Sequence, residues 1–271
     1  MSAPALKDIW PGQSVPLLKA LHILTSNGGL NADSRRKLKQ VQHLAQLIKP
    51  AIDTVLKEKD QPVLADLGAG KSYLGFILYD LYFGPAGRGR VIAVETRPEL
   101  IAAAKKIAET SDFSRMDFVQ AKIADTEVGP VDIVTALHAC DTATDEAILF
   151  ALKHQAKYVA LVPCCQAEVA HQLEEVNGPL AQLWRHPIQR REFGAHLTNV
   201  LRGLFLEAQG YKVRITELTG LEHSLKNEFI LAERLQRANP RARAEFDKLV
   251  EQTGVKPGLL TWIAAAENSH D

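Results

Sequence analysis

Apolar positions along this 271-residue chain follow two rhythms. In the first 60 residues Leu38, Val41, Leu44, Leu47 and Ile48 recur at three- to four-residue spacing, with Arg35, Arg36, Lys37, Lys39 and Lys49 on the other faces. That period predicts an amphipathic helix opening at an Asn31 or Asp33 cap. Ahead of it Pro11 and Pro16 break the chain, and Gly28-Gly29 mark a turn. From residue 62 the rhythm changes to short apolar runs at 63–67, 91–95, 117–120, 131–137 and 158–162, separated by helical stretches. Strands alternating with helices predict right-handed βαβ units and a parallel sheet covered on both faces. Two further runs, 212–218 and 228–232, are separated by only nine residues, too few for a crossover helix, and predict an antiparallel hairpin. The expected fold is a doubly wound α/β sheet of seven strands ending in that hairpin.

Three segments follow from this pattern: an N-terminal helical extension over 1–60, the sheet domain over 61–235, and a helical tail over 236–271 packed on the domain. The tail holds a helix initiated by Pro240 and running through Val250, then an apolar piece at 259–266. A long connection, 166–210, carries Arg185, His186, Arg190 and Arg191 ahead of an amphipathic stretch with Leu197, Val200, Leu201, Leu204 and Phe205. Trp10, Trp184 and Trp262 are scattered and read as packing, and His223 and Asn227 as turn residues in the hairpin.

Composition narrows the class. Hydrophobic residues make up 46% and charged residues 24%, the mix of a globular chain with a sizeable core. Lys plus Arg equals Asp plus Glu at 32 each, so no overall field draws the molecule to nucleic acid or membrane, and any such affinity is local. No apolar run approaches the roughly 20 residues that span a bilayer, and a signal-peptide pattern is not seen, so the expectation is a cytoplasmic protein without membrane contact. Three cysteines form no disulfide framework and fit a reducing compartment.

The densest chemistry is the stretch Val63-Leu-Ala-Asp66-Leu-Gly68-Ala69-Gly70-Lys71-Ser72-Tyr73-Leu74-Gly75, a strand entering a glycine turn and then a helix. Three readings compete. A relaxed phosphate-loop pattern runs from Ala65 to Ser72, but a phosphate cradle needs free backbone from its first position, and Ala65 to Leu67 read as strand. A dinucleotide fingerprint needs a third glycine where Tyr73 stands. In the third reading, S-adenosylmethionine, Asp66 engages the methionine end, Gly68 and Gly70 allow close approach, and Glu95 accepts hydrogen bonds from the ribose diol.

Asp66-Leu-Gly68-Ala69-Gly70, Glu95 and the order of elements resemble class I S-adenosylmethionine-dependent methyltransferases over about residues 60–235. The resemblance implies a Rossmann-like methyltransferase fold. It also implies cofactor contacts at Asp66, Gly68, Ala69, Gly70, Tyr73, Leu74, Glu95, Thr96, Lys122, Ile123 and His138. Lys122 stands where an acidic residue often meets the adenine amino group, which leaves the backbone of residues 121–123 for that contact. Further on, His138-Ala-Cys140-Asp141-Thr-Ala-Thr144-Asp145 and Pro163-Cys164-Cys165 are similar to motifs of the subgroup holding tRNA 2′-O-methyltransferases and methyltransferase-like proteins. Asp141 replaces a frequent glycine, and Gln166 replaces a frequent histidine.

The cysteines and their neighbours admit three roles. His138 and Asp141 position an acceptor or take its proton while the cysteines pack around the donor. Alternatively Cys164 or Cys165 is a nucleophile assisted by Cys140, although the Pro-Cys and Thr-Cys pairs of cytosine-C5 enzymes are missing. A zinc site at His138, Cys140 and the Cys pair is disfavoured because adjacent cysteines suit one tetrahedral ion poorly, so no metal is expected. The catalytic candidates are His138, Asp141, Cys164 and Cys165. RNA is the expected acceptor, met through Arg35, Arg36, Lys37, Lys39, Arg190 and Arg191. Alternatives are a protein or small-molecule acceptor, an ATPase dependent on Lys71, and a silent cofactor-binding module. No oligomeric state follows from the sequence.

Overall fold

A computed structural model of the chain describes residues 8–137, 142–163, 166–218, 228–235 and 237–261. Its seven strands are β1 (Val63–Leu67), β2 (Arg90–Glu95), β3 (Met116–Gln120), β4 (Ile133–Leu137), β5 (Tyr158–Val162), β6 (Tyr211–Glu217) and β7 (Glu228–Arg234). They form one sheet in the order β3-β2-β1-β4-β5-β7-β6. The first five are parallel, and β7 runs antiparallel between β5 and β6. The doubly wound sheet and its terminal hairpin are as expected from the apolar runs. The sequence order reverses between β1 and β4, the kind of switch point where open α/β sheets bind ligands beyond the carboxyl ends of their strands.

Strand limits differ from the sequence pattern for local reasons. Residues 131 and 132 do not extend β4, because the Asp132 carboxylate turns to accept the Val63 N–H at 2.9 Å and to pair with Lys59. At the other end of the sheet β7 continues to Arg234, since its register with β6 runs through to Tyr211.

Eight helices carry labels here: α1 (Val15–Ala20), α2 (Ala32–Glu58), α3 (Tyr73–Leu78), α4 (Pro98–Thr110), α5 (Thr142–Lys153), α6 (Glu168–Gln172), α7 (Pro187–Ala208) and α8 (Pro240–Thr253). Asn31 is the α2 cap, its Oδ1 accepting the Ser34 N–H at 2.7 Å, a bond worth about 1 kcal/mol to a helix start. The alternation along β1 assigns the helices to layers. Val63, Ala65 and Leu67 face a core shared with α5, α7 and α8. Leu64 faces the opposite core, with Leu38, Leu44, Ile48 and Ile52 of α2 and residues of α1, α3 and α4. Burying each such Leu or Ile contributes about 1.5–3 kcal/mol, so α2 is held by its apolar stripe more than by its cap. Trp184 is buried in the first core. Trp262, His223 and Asn227 lie outside the described residues. Among the described residues no helix is long and apolar enough to cross a membrane.

Candidate functional site at the carboxyl edge

The turn after β1 is built on left-handed backbone. Gly68 and Gly70 sit at φ 60° and 58°, and Ser72 at φ 54°. Ala65 is paired within β1 to Ile92 and Val134, so the phosphate-loop pattern has no free backbone at its first position. Asp66 shares the α2 side of the sheet with Leu64 and is 1% exposed. Its Oδ1 accepts the Thr135 hydroxyl at 2.9 Å across the β1–β4 register. A Cβ on Gly75 would come within 2.7 Å of the Ser72 hydroxyl and 3.1 Å of Asp66 Oδ2, so the glycine is what lets α3 close on the carboxylate. Burial pushes Asp66 up to about 6, against the pull of hydrogen bonds from Thr135, the Gly75 N–H and Ser72.

Glu95, at the end of β2, meets the other side of the turn. Its Oε2 accepts the Gly70 N–H at 2.8 Å, and its Oε1 accepts the N–H groups of Thr96 and Arg97 at 2.9 and 3.1 Å. The Arg97 guanidinium spans both oxygens, at 3.1 and 3.2 Å. Burial alone would raise this carboxyl; bonds from Arg97, Gly70 and Thr96 outweigh it and hold Glu95 at about 2. The Arg97 side chain is 59% exposed, so exchanging it for another donor costs little.

The remaining expected cofactor contacts divide by burial. Ala69 is half-exposed beside the glycines, with its N–H on the Val94 carbonyl at 2.9 Å. Leu74 and Ile123 are core side chains and can offer only backbone to a ligand. Lys122 is exposed, its carbonyl taken by the Thr126 hydroxyl at 2.7 Å. Tyr73 lines a cavity of about 260 Å³ at the carboxyl edge, with Leu137, Val162 and Leu218 from strand ends, Val41 and Leu44 from α2, and Ile23 from the turn between α1 and α2. Lys37 and Gln40 complete its described lining. His138, Asp141, Cys164 and Cys165, the expected catalytic residues, lie outside the described residues, as does Cys140.

A polar cluster next to this edge went unread in the sequence. Arg202 of α7 is 1% exposed and donates from Nε to Asp145 of α5 at 2.6 Å. Its Nη1 reaches Asn199 Oδ1 at 3.3 Å, and Asn199 donates to Glu228 at the start of β7 at 2.5 Å. Gln166, just past β5, approaches Asn199 at 3.5 Å. Asp145 was visible as the last residue of the His138 motif, but nothing local pointed to its partner. Arg97 and Thr135 were also missed; a threonine inside the apolar run Ile133-Val-Thr-Ala-Leu137 was the available signal.

The two basic segments flank the same edge from opposite sides. Helix α2 leads back to β1 and α7 to β6, so both begin at the carboxyl edge, and they pack on opposite faces of the sheet. Arg35 pairs with Asp8 at 3.1 Å, Arg36 and Lys37 with Asp33 at 2.7 and 2.9 Å, and Arg190 with Glu174 at 2.9 Å. Lys39 and Arg191 are exposed.

Residues 36–172 match a family model described as a methyltransferase domain. A glutathione S-transferase C-terminal domain-containing protein of Bos taurus is 27% identical over 222 residues, which cover 73% of this chain and 34% of that protein. Its Homo sapiens counterpart is 25% identical with the same coverage. The chain thus spans about a third of the length of the curated relatives it matches. Among solved structures, an rRNA methylase from Streptococcus thermophilus aligns at a TM-score of 0.46 and 11% identity, covering 70% of this chain and 96% of that one.

Proposed function

The chain belongs to the methyltransferase-domain family, and from that premise we infer that it is a class I S-adenosylmethionine-dependent methyltransferase acting on RNA. The observation that carries the reading is the pair of carboxylates, Asp66 and Glu95, on either side of a turn opened by two left-handed glycines. The donor set of the cofactor, an ammonium and a ribose diol, calls for acceptors, and these two groups supply them. When bound, S-adenosylmethionine supplies a methyl group already activated on a sulfonium, so the chain's task is mostly to bind, orient and exclude water.

In this reading Asp66 places negative charge beneath the turn for the methionine ammonium. Glu95 takes the diol, and the half-exposed backbone at Gly68, Ala69 and Gly70 lies along the ligand. Thr96 helps fix Glu95, and the backbone at Lys122 and Ile123 borders the adenine. His138, Asp141, Cys164 and Cys165, which follow β4 and β5 in the sequence, are the catalytic candidates of this reading. Glu95→Gln is expected to raise the cofactor dissociation constant about ten- to a hundredfold, the worth of a lost charged hydrogen bond. Titration calorimetry decides it, and an unchanged constant removes Glu95 from the site.

RNA is supported by cations flanking the transfer edge on both sides. Exposed pairs such as Arg36–Asp33 are worth only about 0–1 kcal/mol, so exchanging the carboxylate for a phosphate costs little. Lys39→Ala combined with Arg191→Ala is expected to lower the slope of log affinity against log salt by about 1.4, at roughly 0.7 per phosphate contact on single strands. Filter binding of RNA from cells lacking the protein measures this. An unchanged slope, with methyl label appearing in the protein fraction instead, favours a protein acceptor.

A further inference from the structure

The cavity at the carboxyl edge has a shape and a chemistry of its own. Its walls come from the ends of β4 and β5 at Leu137 and Val162, from Leu218 after β6, from Tyr73 at the start of α3, and from Val41 and Leu44 of α2. Along α2 the lining passes from Lys37, 57% exposed, to Leu44, which is buried, so Lys37 marks the open end and the apolar walls the deep end. The volume, about 260 Å³, falls below the roughly 300–1,000 Å³ of pockets that take a whole drug-sized ligand, and suits a single ring system.

Resting on the methyltransferase reading above, we propose that this cavity receives an unpaired nucleobase of RNA, so that the methyl group goes to the base and not to the ribose. Three features argue for it. A flat, neutral ring stacks against apolar walls and a tyrosine while its polar edge meets the polar lining residues Lys37 and Gln40, and enzymes acting on bases take them out of the stack into such pockets. No carboxylate stands among the described lining residues to receive the cationic side chain of a lysine or arginine acceptor. Lys37 and Arg36 share the single carboxylate of Asp33, so the start of α2 keeps a net positive charge at the open end, where the phosphates flanking an inserted base would lie. A ribose hydroxyl gains nothing from these walls. In the transfer itself a ring nitrogen gives its lone pair to the methyl carbon, the carbon–sulfur bond breaks with its electron pair remaining on sulfur, and the N–H proton leaves to water.

The test uses methyl-tritiated S-adenosylmethionine, the intact protein and RNA from cells lacking it, followed by acid cleavage of the labelled nucleosides into base and sugar. Label in the base is the expected result. Label in the sugar, in protein, or in no fraction overturns the assignment. Cofactor binding measured by calorimetry on the same sample separates that failure from failure of the methyltransferase reading, which predicts binding in every case. Val41→Trp fills the cavity from α2 and is expected to cut label in RNA at least a hundredfold while the cofactor dissociation constant stays within twofold. Should the tryptophan variant not fold, Val41→Phe gives a graded version.

A second readout needs no turnover. In saturation-transfer NMR with cytidine, uridine and guanosine, ring protons should receive more saturation than ribose protons, and the difference should vanish in the Val41 variants. Transfer mainly to ribose, or transfer insensitive to Val41, places the base elsewhere and overturns the proposal.

Discussion

Arg202→Met will destabilise the protein by about 3–5 kcal/mol, the usual cost of breaking a buried ion pair by removing one partner. The guanidinium is buried in α7 and bonds Asp145 at 2.6 Å and Asn199 at 3.3 Å. Methionine fills much of the same volume, so the loss comes from the Asp145 carboxylate deprived of its guanidinium in a site of low dielectric. At about 2–4 °C per kcal/mol for a chain of this size, the melting temperature falls by about 6–20 °C. Arg202→Met combined with Asp145→Leu removes both charges and is expected to recover most of the loss, because replacing a whole buried pair by apolar groups is often neutral. Calorimetric unfolding of the two variants measures this. A single-variant loss below 1 kcal/mol would mean that water reaches the pair.

Asp66→Asn is expected to do two opposite things. Burial raises this carboxyl from its ordinary 3.8 to about 6, which at roughly 1.4 kcal/mol per pKa unit is about 3 kcal/mol of cost to the folded state at pH 8. The sign follows from proton uptake: the folded chain holds this proton more tightly than the unfolded one, so the cost is full above pH 6 and fades as pH falls toward 3.8. Asparagine is neutral and can still bond both neighbours, accepting the Gly75 N–H and donating to Thr135, whose hydroxyl then turns to the Ala65 carbonyl, 3.5 Å away. The variant should therefore melt several degrees higher than the parent at pH 8, and the gap should shrink by pH 4. Above pH 6 it should bind S-adenosylmethionine at least tenfold more weakly, since the ammonium loses its counter-charge, and the difference should narrow as pH falls below 6. The parent's affinity should decline below pH 6 as Asp66 takes up its proton, while Glu95, held at about 2, stays ionised. Equal cofactor affinity in the two proteins would leave Asp66 with a purely architectural role.

Local patterns made much of this molecule legible. The alternation of short apolar runs with helical stretches gave the five parallel strands, and the nine-residue gap before 228 gave the hairpin, because backbone pairing and face burial act over neighbouring residues. The placement of Asp66 and Glu95 at the carboxyl ends of β1 and β2 was readable because each stands in the last two positions of an apolar run. What escaped depends on residues distant in sequence. Arg202 and Asp145 are 57 residues apart, and only the docking of α7 over α5 turns an arginine of an amphipathic helix into a buried cation. The cavity takes its walls from α2 and the turn before it, α3 and the ends of three strands, no two of which form a motif. Arg35 and Arg190 read as free charges because Asp8 and Glu174, their partners, stand 27 and 16 residues away.

The position of β7 bears on how the chain is made. The last strand synthesised fills the slot between β5 and β6, so β5 keeps an open edge until residue 234 has emerged. Helix α2, which precedes the whole sheet, has its apolar cluster completed only by the same event, since Tyr158, Ala160, Val162 and Phe229 belong to that cluster. At about 5–20 residues per second the interval between the end of α2 and the end of β7 is on the order of ten to thirty seconds. From the emergence of β5 to that of β7 the nascent chain presents an unpaired strand edge beside an incompletely covered helix face, the combination that draws in other chains. Holding that edge apart from its neighbours is work for chaperones, and it is set by strand order alone.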